Sequence, residues 1–549
     1  MARALCGGGF TVAAVAAVLL VSTAAAHAST ITVTSTADDY DHGPNGNCTL
    51  REAVIAANTN TKTDKCPAGG GADTIVIPAG TYTLTIPGTG DDAAHTGDLD
   101  ITASVTIVGA GADATIVDAG QLDQGFDVLA TSGTTSISSL TVRNAWTAFV
   151  SRGSKLRLAS VSIRAGGGGI RVDGGAVTVT GSTVGDPSGE LVSDCANRAE
   201  LGGGIYLGSG SLVVVDSVVA GNCAAEILGV GAGGGIAVWG GTALLERTVV
   251  RGNTAVGDPR VGDGRGGGLF VAGGTLAIRA SRVTANLAGG VGGFNAGGLA
   301  IVGAGVVTIE RSLFDSNVAG AIDAAANGAD VPSVAISDST ISGRRAEDQV
   351  SEWPLGAVVA ISASGPVSIT GSTLDVEDGA LDGGAVLAGA GPFTLTGTVL
   401  DDGCSPTAVV ASGGFNLAKD VDCGLSAASD LVGVDPHLAP LGFYGGSTPT
   451  RPPLPGSPAI DSGDPNGCTA TDQRGFARPA DGDLDGAARC DRGALEVACS
   501  GIDGQSDECV PLACGAIPRS PRAAAAMVVP LFVVSAAIQG RRVVLRRGA

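Results

Sequence analysis

Short runs of alternating apolar and polar residues fill the middle of the chain, and glycine or asparagine ends most of these runs. Alternation with a period of two predicts β-strands. Four segments align, with first residues 31, 33 and 30 positions apart: GGIYLGSGSLVVVDSVVAGN (203–222), GGIAVWGGTALLERTVVRGN (234–253), GGLFVAGGTLAIRASRVTAN (267–286) and GGLAIVGAGVVTIERSLFDSN (297–317). Strand-only repeats of this length predict a parallel β-solenoid. We therefore expect an all-β protein whose residues 101–400 form a right-handed parallel β-helix.

Positions within each repeat have separate roles. We expect Ile236, Val238, Leu244 and Val249 to point inward and to stack with equivalent residues of neighbouring coils. Glycine fits left-handed backbone angles at the corners, and asparagine tolerates those angles better than other residues. The asparagines that end the four segments are Asn222, Asn253, Asn286 and Asn317. Their recurrence predicts a structural ladder in which the side-chain amides hydrogen-bond along the stack.

One helix-like stretch, NCTLREAVIAAN at 47–58, interrupts this β-pattern. Thr49 and Glu52 have the spacing of a capping box, in which each side chain binds the other residue's backbone N–H. Apolar residues then recur on one helical face. An open solenoid exposes strand edges at its ends, which invite association unless they are covered. The stretch therefore predicts a helix that lies over the first coil, within an N-terminal cap of residues 29–100.

Both chain ends carry apolar segments. Residues 1–28 combine an early arginine, an apolar run and small residues before a cleavage site, which predicts a secretory signal peptide. A Cys/Pro linker at 499–522 precedes an apolar helix and an arginine tail at 523–549, which predict a transmembrane or sorting anchor. We expect an exported protein at the cell surface, with the membrane as a partner of that C-terminal helix or with release after processing.

The chain has twelve cysteines, and eleven remain after the signal peptide. In an exported protein we expect them to be oxidised. Four pairs close local loops: Cys48 with Cys66, Cys195 with Cys223, Cys404 with Cys423, and Cys468 with Cys490. The pairing of Cys499, Cys509 and Cys514 stays open.

The net charge of -21 argues against nucleic acid as a partner. The glycine clusters punctuate strands and lack the lysine and hydroxyl residue of a phosphate-binding loop, so we expect no nucleotide. The sequence predicts no cofactor other than calcium. Asp481, Asp483 and Asp485 form a DxDxDG run that resembles the start of an EF-hand calcium loop, and Asp491 lies near its expected end. The alternative is a solvated acidic turn.

Three stretches resemble known bacterial families. Gly297-Gly298-Leu299 and Phe314-Asp315-Ser316-Asn317 are similar to the repeats of polymorphic outer-membrane proteins, which implies a surface-exposed right-handed β-helix. Cys48-Thr49-Leu50-Arg51-Glu52-Ala53 resembles the CSLREA motif of exported proteins, with a likeness that extends over residues 31–130. Residues 413–496 resemble the choice-of-anchor Q domain, within a C-terminal region of residues 401–498. That likeness implies a C-terminal sorting anchor.

These features predict a non-catalytic protein that presents a solenoid face for adhesion, with a cell-surface glycan or protein as its ligand. The sequence provides no catalytic set. The alternative is a polysaccharide lyase or glycoside hydrolase of pectin-lyase-like fold, which needs carboxylates on one face of adjacent coils. The candidates for that chemistry are Asp98, Asp100 and Arg143, or Asp315 near Glu310 and Arg311, although neither set recurs at a spacing that stacks it. Aromatic residues are few, and no sugar-stacking groove is evident.

Overall fold

The computed structural model describes residues 28–40, 45–188, 195–225, 231–257, 264–289, 296–343, 359–376 and 385–498. Within these ranges the protein has one helix and 39 strands. The first part contains Thr30–Thr32 (β1), Leu50–Thr59 (α1), Asp73–Ile77 (β2), Gly80–Thr83 (β3), Leu99–Ile101 (β4), Val105–Gly109 (β5), Thr115–Asp118 (β6), Phe126–Val128 (β7), Thr135–Ser138 (β8), Thr141–Ser151 (β9), Lys155–Ala159 (β10), Ser162–Thr180 (β11) and Thr183–Gly185 (β12).

The repeat region continues the same pattern of short strands. It contains Asn197–Ala199 (β13), Ile205–Val215 (β14), Val218–Ala220 (β15), Asn222–Ala225 (β16), Ile236–Val238 (β17), Thr242–Glu246 (β18), Val249–Arg251 (β19), Thr254–Val256 (β20), Leu269–Val271 (β21), Thr275–Arg279 (β22), Arg282–Thr284 (β23), Leu287–Gly289 (β24), Leu299–Val302 (β25), Val306–Glu310 (β26) and Leu313–Asp315 (β27). The final part contains Ile322–Ala325 (β28), Ser333–Ser337 (β29), Thr340–Gly343 (β30), Val359–Ala363 (β31), Val367–Thr370 (β32), Thr373–Val376 (β33), Ala385–Ala388 (β34), Pro392–Thr396 (β35), Val399–Leu400 (β36), Val409–Ser412 (β37), Leu417–Ala418 (β38) and Leu431–Val432 (β39).

Each strand pairs in parallel with a strand of a neighbouring coil. One ladder runs through β18, β22, β26, β29 and β32, a second through β19, β23, β27 and β30, and a third through β17, β21, β25 and β28. Strands β13, β16, β20 and β24 form a separate four-stranded sheet at one corner. This arrangement confirms the predicted parallel β-helix. The ladders extend from Thr30 to Val432, so the coils begin before and end after the range 101–400.

The core is a narrow stack of branched aliphatic side chains. Ile236 lies in register with Ile205 of the preceding coil and with Leu269 of the next, and all three are fully buried. Ile236 and Val238 point inward as predicted. The prediction for Leu244 and Val249 was wrong: both are only half-buried, and the inward residues are the adjacent Leu245 and Val250. Consecutive pairs of leucine or valine hide the phase of the alternation, since either residue of a pair fits the inner side.

The asparagines form a continuous buried ladder. Each Nδ2 donates to the Oδ1 of the asparagine in the next coil, at 2.8 Å from Asn222 to Asn253, 3.0 Å from Asn253 to Asn286 and 3.0 Å from Asn286 to Asn317. The ladder has a further member, Asn197, whose Nδ2 lies 2.7 Å from Asn222 Oδ1. The left-handed residue precedes each asparagine instead of being the asparagine itself, as at Gly221, Gly252, Ala285 and Ser316.

Helix α1 has the predicted capping box. Thr49 N donates to Glu52 Oε2 at 2.9 Å, and Glu52 N donates to Thr49 Oγ1 at 3.2 Å. The helix packs against β1, β2 and β4, and its residues from Leu50 to Ala57 are buried. It therefore covers the first coils, as expected for a cap. The four predicted disulfides are present: Cys48–Cys66, Cys195–Cys223, Cys404–Cys423 and Cys468–Cys490. Such bonds are typical of exported proteins.

The segment after β39 folds back along the side of the solenoid. Gln473 accepts a hydrogen bond from Thr340 Oγ1 at 2.6 Å, and Ala494 N donates to Thr373 Oγ1 at 3.0 Å. The C-terminal region thus packs on the ladder that contains β30 and β33. The predicted signal peptide, linker and anchor, with Cys499, Cys509 and Cys514, lie outside the described residues except for Ala28. Within the described ranges, no helix has both the length and the apolar character needed to cross a membrane.

Candidate ligand-binding face

One face of the solenoid carries a line of outward side chains. The face is built from β4, β7, β9, β11, β14, β17, β21, β25 and β28. Register partners at its central position are Asp100, Asp127, Val150, Arg171, Tyr206, Ala237, Phe270, Ala300 and Asp323. The residues on either side of this position, such as Ile205 and Leu207, point into the core. Strand alternation therefore directs the whole line away from the core.

Two neighbouring lines of side chains run along the middle of this face. The first is Tyr206, Ala237 and Phe270, and in the second Leu201 and Arg265 flank Ala232. The apolar members of both lines pack together outside the main core. We call this feature the aromatic groove.

Aromatic and charged side chains meet in the groove. Trp239 is half exposed, and its ring centroid lies 6.3 Å from that of Phe270. The guanidinium of Arg171 lies 5.2 Å from the ring centroid of Tyr206, within the range of a cation–π contact. A pocket of about 260 Å³ adjoins these two residues and is also lined by the exposed Glu200. The groove thus combines flat apolar surfaces with charged groups at its rim.

Four carboxylates meet at the N-terminal end of the same face. Ligand atoms of Asp98, Asp100 and Asp127 all lie within 4.8 Å of one another, and Asp123 is close by. The register that pairs β4 with β7 places Asp100 directly beside Asp127. All four residues are buried, with at most 4% of their surface exposed. We call Asp98, Asp100, Asp123 and Asp127 the acidic cluster.

Burial changes the protonation of the cluster. Burial, together with the charges of neighbouring carboxylates, raises the pKa of Asp98 to about 8. Burial raises the pKa of Asp100 to about 7, even though Ala94 N donates to its Oδ2. Burial also raises the pKa of Asp127, although Arg152 Nε donates to its Oδ2 at 2.7 Å. Desolvation disfavours the charged form, and like charges add to that effect.

Helix α1 fixes the segment that carries two members of the cluster. The fully buried Arg51 donates to the carbonyl oxygens of Ala94, Gly97 and Asp98 at 2.8–3.0 Å, and its Nε and Nη2 also donate to the carboxylate of Asp38. Two turns further along the helix, Asn58 Nδ2 donates to the carbonyl oxygen of Asp100 at 2.7 Å. The helix is therefore more than a cover, because it holds the backbone on both sides of the acidic cluster.

The structure changes the set of candidate catalytic residues for the enzyme alternative. Asp98 and Asp100 come together, but Arg143 does not join them, since its Nε donates to Asp118 at 2.8 Å on another ladder. Asp123, Asp127 and Arg152 were not predicted from the sequence. The sequence does contain a signal for Asp127, because the similar segments GDLDI and GFDV place Asp100 and Asp127 27 residues apart, but this spacing is shorter than the regular repeat.

The DxDxDG run is only partly assembled. Asp481 and Asp483 lie close to Asp461, which the sequence reading did not include. Asp485 instead binds Arg489 at 3.1 Å, and both carboxylate oxygens of Asp491 accept backbone N–H groups of Asp461 and Val497. The carboxylate of Asp491, which the sequence predicted as the fourth ligand, is therefore directed away from this loop. Calcium at this loop stays a prediction, and the geometry shifts it towards Asp461, Asp481 and Asp483.

No protein-family model matches the chain, and no curated protein matches it in sequence. Among solved structures, the chain is similar to the catalytic unit of a thermostable GH87 α-1,3-glucanase from Streptomyces thermodiastaticus strain HF3-3, at 13% identity and a TM-score of 0.35. That match covers 63% of this chain and 63% of the glucanase chain, which is less than two thirds of it. The chain is also similar to pectate lyase Pel9A, at 15% identity and a TM-score of 0.31, over 85% of this chain and 96% of that chain.

Proposed function

We propose that this protein is an exported, surface-anchored β-helix that binds an extended glycan along the aromatic groove without cleaving it. The observation that carries the proposal is that the half-exposed Trp239, the partly exposed Tyr206 and the largely buried Phe270, from three successive coils, lie along one outward face of the solenoid. The resemblances to CSLREA and choice-of-anchor Q proteins support the location, with residues 523–549 as the anchor. The four disulfides support export.

The chemistry of the groove suits a sugar chain. Aromatic rings offer flat apolar surfaces to the C–H faces of sugar rings, and polar groups at a groove's edge fix orientation through hydrogen bonds. The guanidinium of Arg171 lies beside the ring of Tyr206, with its Nε paired to Asp173 Oδ2 at 2.7 Å, and Arg265 belongs to the neighbouring line, in a protein of net charge -21. Guanidinium groups bind carboxylates through two parallel hydrogen bonds. We therefore expect acidic glycans to bind more tightly than neutral ones.

The second candidate function is a polysaccharide lyase or glycoside hydrolase. The acidic cluster favours it, because three carboxylates converge at the end of the same face with Arg152 beside them. Burial opposes it. With at most 4% of each aspartate exposed, a polymer cannot reach these groups in the described conformation.

Retention on immobilised glycans tests the proposal. The full chain, exported under oxidising conditions, is passed over a panel of acidic and neutral polysaccharides, and each polymer is also assayed for cleavage. We expect retention without products, and a loss of at least tenfold in affinity for Trp239→Ala or Tyr206→Ala.

Phe443→Ala is the matched control, because Phe443 is equally exposed but lies in the C-terminal region. It should bind like the wild type. Cleavage of any polymer would support the enzyme alternative. Equal binding by all variants would show that the aromatic groove is not the binding surface.

A further inference from the structure

We propose that Asp98, Asp100 and Asp127 bind one calcium ion, which fastens the N-terminal cap to the first coils of the β-helix. The site is separate from the aromatic groove and from the DxDxDG loop. It does not depend on the proposed glycan binding.

The geometry of the three carboxylates fits one ion. Each offers an oxygen, and these oxygens all lie within 4.8 Å of one another. Calcium binds oxygen at about 2.3–2.6 Å, so two ligands on opposite sides of the ion are about 5 Å apart. Magnesium holds its ligands closer, in a stricter octahedron. Water and further oxygens complete the six to eight ligands that calcium takes.

A second observation concerns the hydrogen bonds of Asp127. Its Oδ2 accepts from Arg152 Nε at 2.7 Å, but its Oδ1 is buried and has no hydrogen-bond partner among the residues that the structure describes. The residue is 96% buried, given its exposed fraction of 4%. Leaving such an acceptor without a partner destabilises the folded state, and more so when the group is charged. A cation among the three carboxylates supplies the missing partner.

The buried negative charges of the cluster outnumber the positive charges next to it, which favours a bound cation. Four buried aspartates face one guanidinium, that of Arg152, whose own side chain is half exposed. Arg51 lies nearby, but its guanidinium is bound to Asp38 and to three carbonyl oxygens. Buried charges of one sign are tolerated when they are paired or coordinate a metal. The other way to remove the charge is protonation, and the experiment separates the two.

The position of the site indicates what the ion does. Asp100 belongs to β4 and Asp98 directly precedes it, in the segment that α1 holds through Arg51 and Asn58, whereas Asp127 belongs to β7 in the next coil. An ion shared by them links the capped coil to its neighbour. We therefore infer a structural ion, which stabilises the exposed end of the solenoid.

Calcium titration of the full chain tests this inference. The protein is stripped with EDTA, and calcium binding is measured by calorimetry at pH 7.5 beside thermal melting in calcium and in EDTA. The Asp483→Asn variant serves as background, so that the DxDxDG loop does not contribute. We expect one ion per chain and a higher melting temperature in calcium, with a weaker effect of magnesium.

Asp100→Asn and Asp127→Asn should each lose the bound ion and the calcium-dependent shift. In EDTA, Asp100→Asn is expected to melt at or above the temperature of the background protein, because an amide removes one repelling charge. Asp127→Asn also weakens the ion pair with Arg152, so for this variant the loss of the calcium-dependent shift is the readout. A variant that merely failed to fold would melt lower in both conditions. Absence of calcium binding in the background protein, or binding that persists in both variants, would overturn the proposal and leave protonation as the account of the cluster.

Discussion

Truncation of one rung of the asparagine ladder, Asn253→Ala, should destabilise the protein strongly. Asn253 is fully buried. Its Nδ2 donates to Val219 O at 2.9 Å and to Asn286 Oδ1 at 3.0 Å. Its Oδ1 accepts from the backbone N of Asn222 at 3.1 Å and from Asn222 Nδ2 at 2.8 Å. The substitution removes all four hydrogen bonds in one step.

The magnitude follows from what each neighbour retains. Asn222 Nδ2 still donates to Val184 O, and Asn286 Oδ1 still accepts from the backbone N of residue 253. The backbone N–H of Asn222 loses its partner inside the core. A buried group without a partner costs about 1–3 kcal/mol, and each further hydrogen bond contributes about 0.5–1.5 kcal/mol. We expect the free energy of unfolding to fall by about 3–5 kcal/mol.

Urea unfolding followed by tryptophan fluorescence measures this loss, because Trp239 lies in the same coil as Asn253. Thr275→Ala is the control. Thr275 is exposed at the start of β22, so its truncation should change the free energy by less than about 0.5 kcal/mol. A loss below about 1 kcal/mol for Asn253→Ala would refute the reasoning, since it would mean that the ladder adds little to the stacking of the coils.

Three further predictions concern the N-terminal cap. Without calcium, stability should fall as the pH rises from about 4 through 8. The pKa values of Asp98 and Asp100 are about 8 and 7 in the folded protein, against a reference value of 3.8, so the folded state binds more protons than the unfolded state in this range. Melting temperatures in EDTA measure this fall, and a melting temperature that rises with pH would contradict the prediction. Arg51→Lys should lower the free energy of unfolding by about 3–5 kcal/mol, because lysine cannot reproduce the guanidinium's paired contacts; urea unfolding measures it, and a loss under about 1 kcal/mol would count against it. Replacing Cys48 and Cys66 by serine should cost about 3 kcal/mol, because the disulfide closes a loop with a sequence separation of 18; equal stability of the double variant would contradict this.

Local signals in the sequence were sufficient for much of the fold. The capping box at Thr49 depends on residues three positions apart, and each disulfide closes a short loop. The repeats were recognisable because Gly-Gly and Asn recur at nearly constant spacing. Asn197 was missed because its segment lacks the flanking pattern of the other four.

The two candidate sites needed the three-dimensional register. Asp100 and Asp127 are 27 residues apart in irregular coils, so no repeat marks them as neighbours. The aromatic groove escaped notice for a related reason. Tyr206, Trp239 and Phe270 occupy different coils, and Trp239 is offset by two residues from the line that joins the other two. Scattered aromatics become one surface only after the coils stack.

Hydrogen exchange of the full chain, with and without the most strongly retained glycan, is the sharpest test of the aromatic groove as the binding surface. We expect slower exchange confined to that groove, in the segments 199–206, 236–239 and 269–272. The acidic cluster around Asp127 should exchange at the same rate in both samples. Protection centred on that cluster, or spread over a different face, would contradict the claim that the aromatic groove is the binding surface.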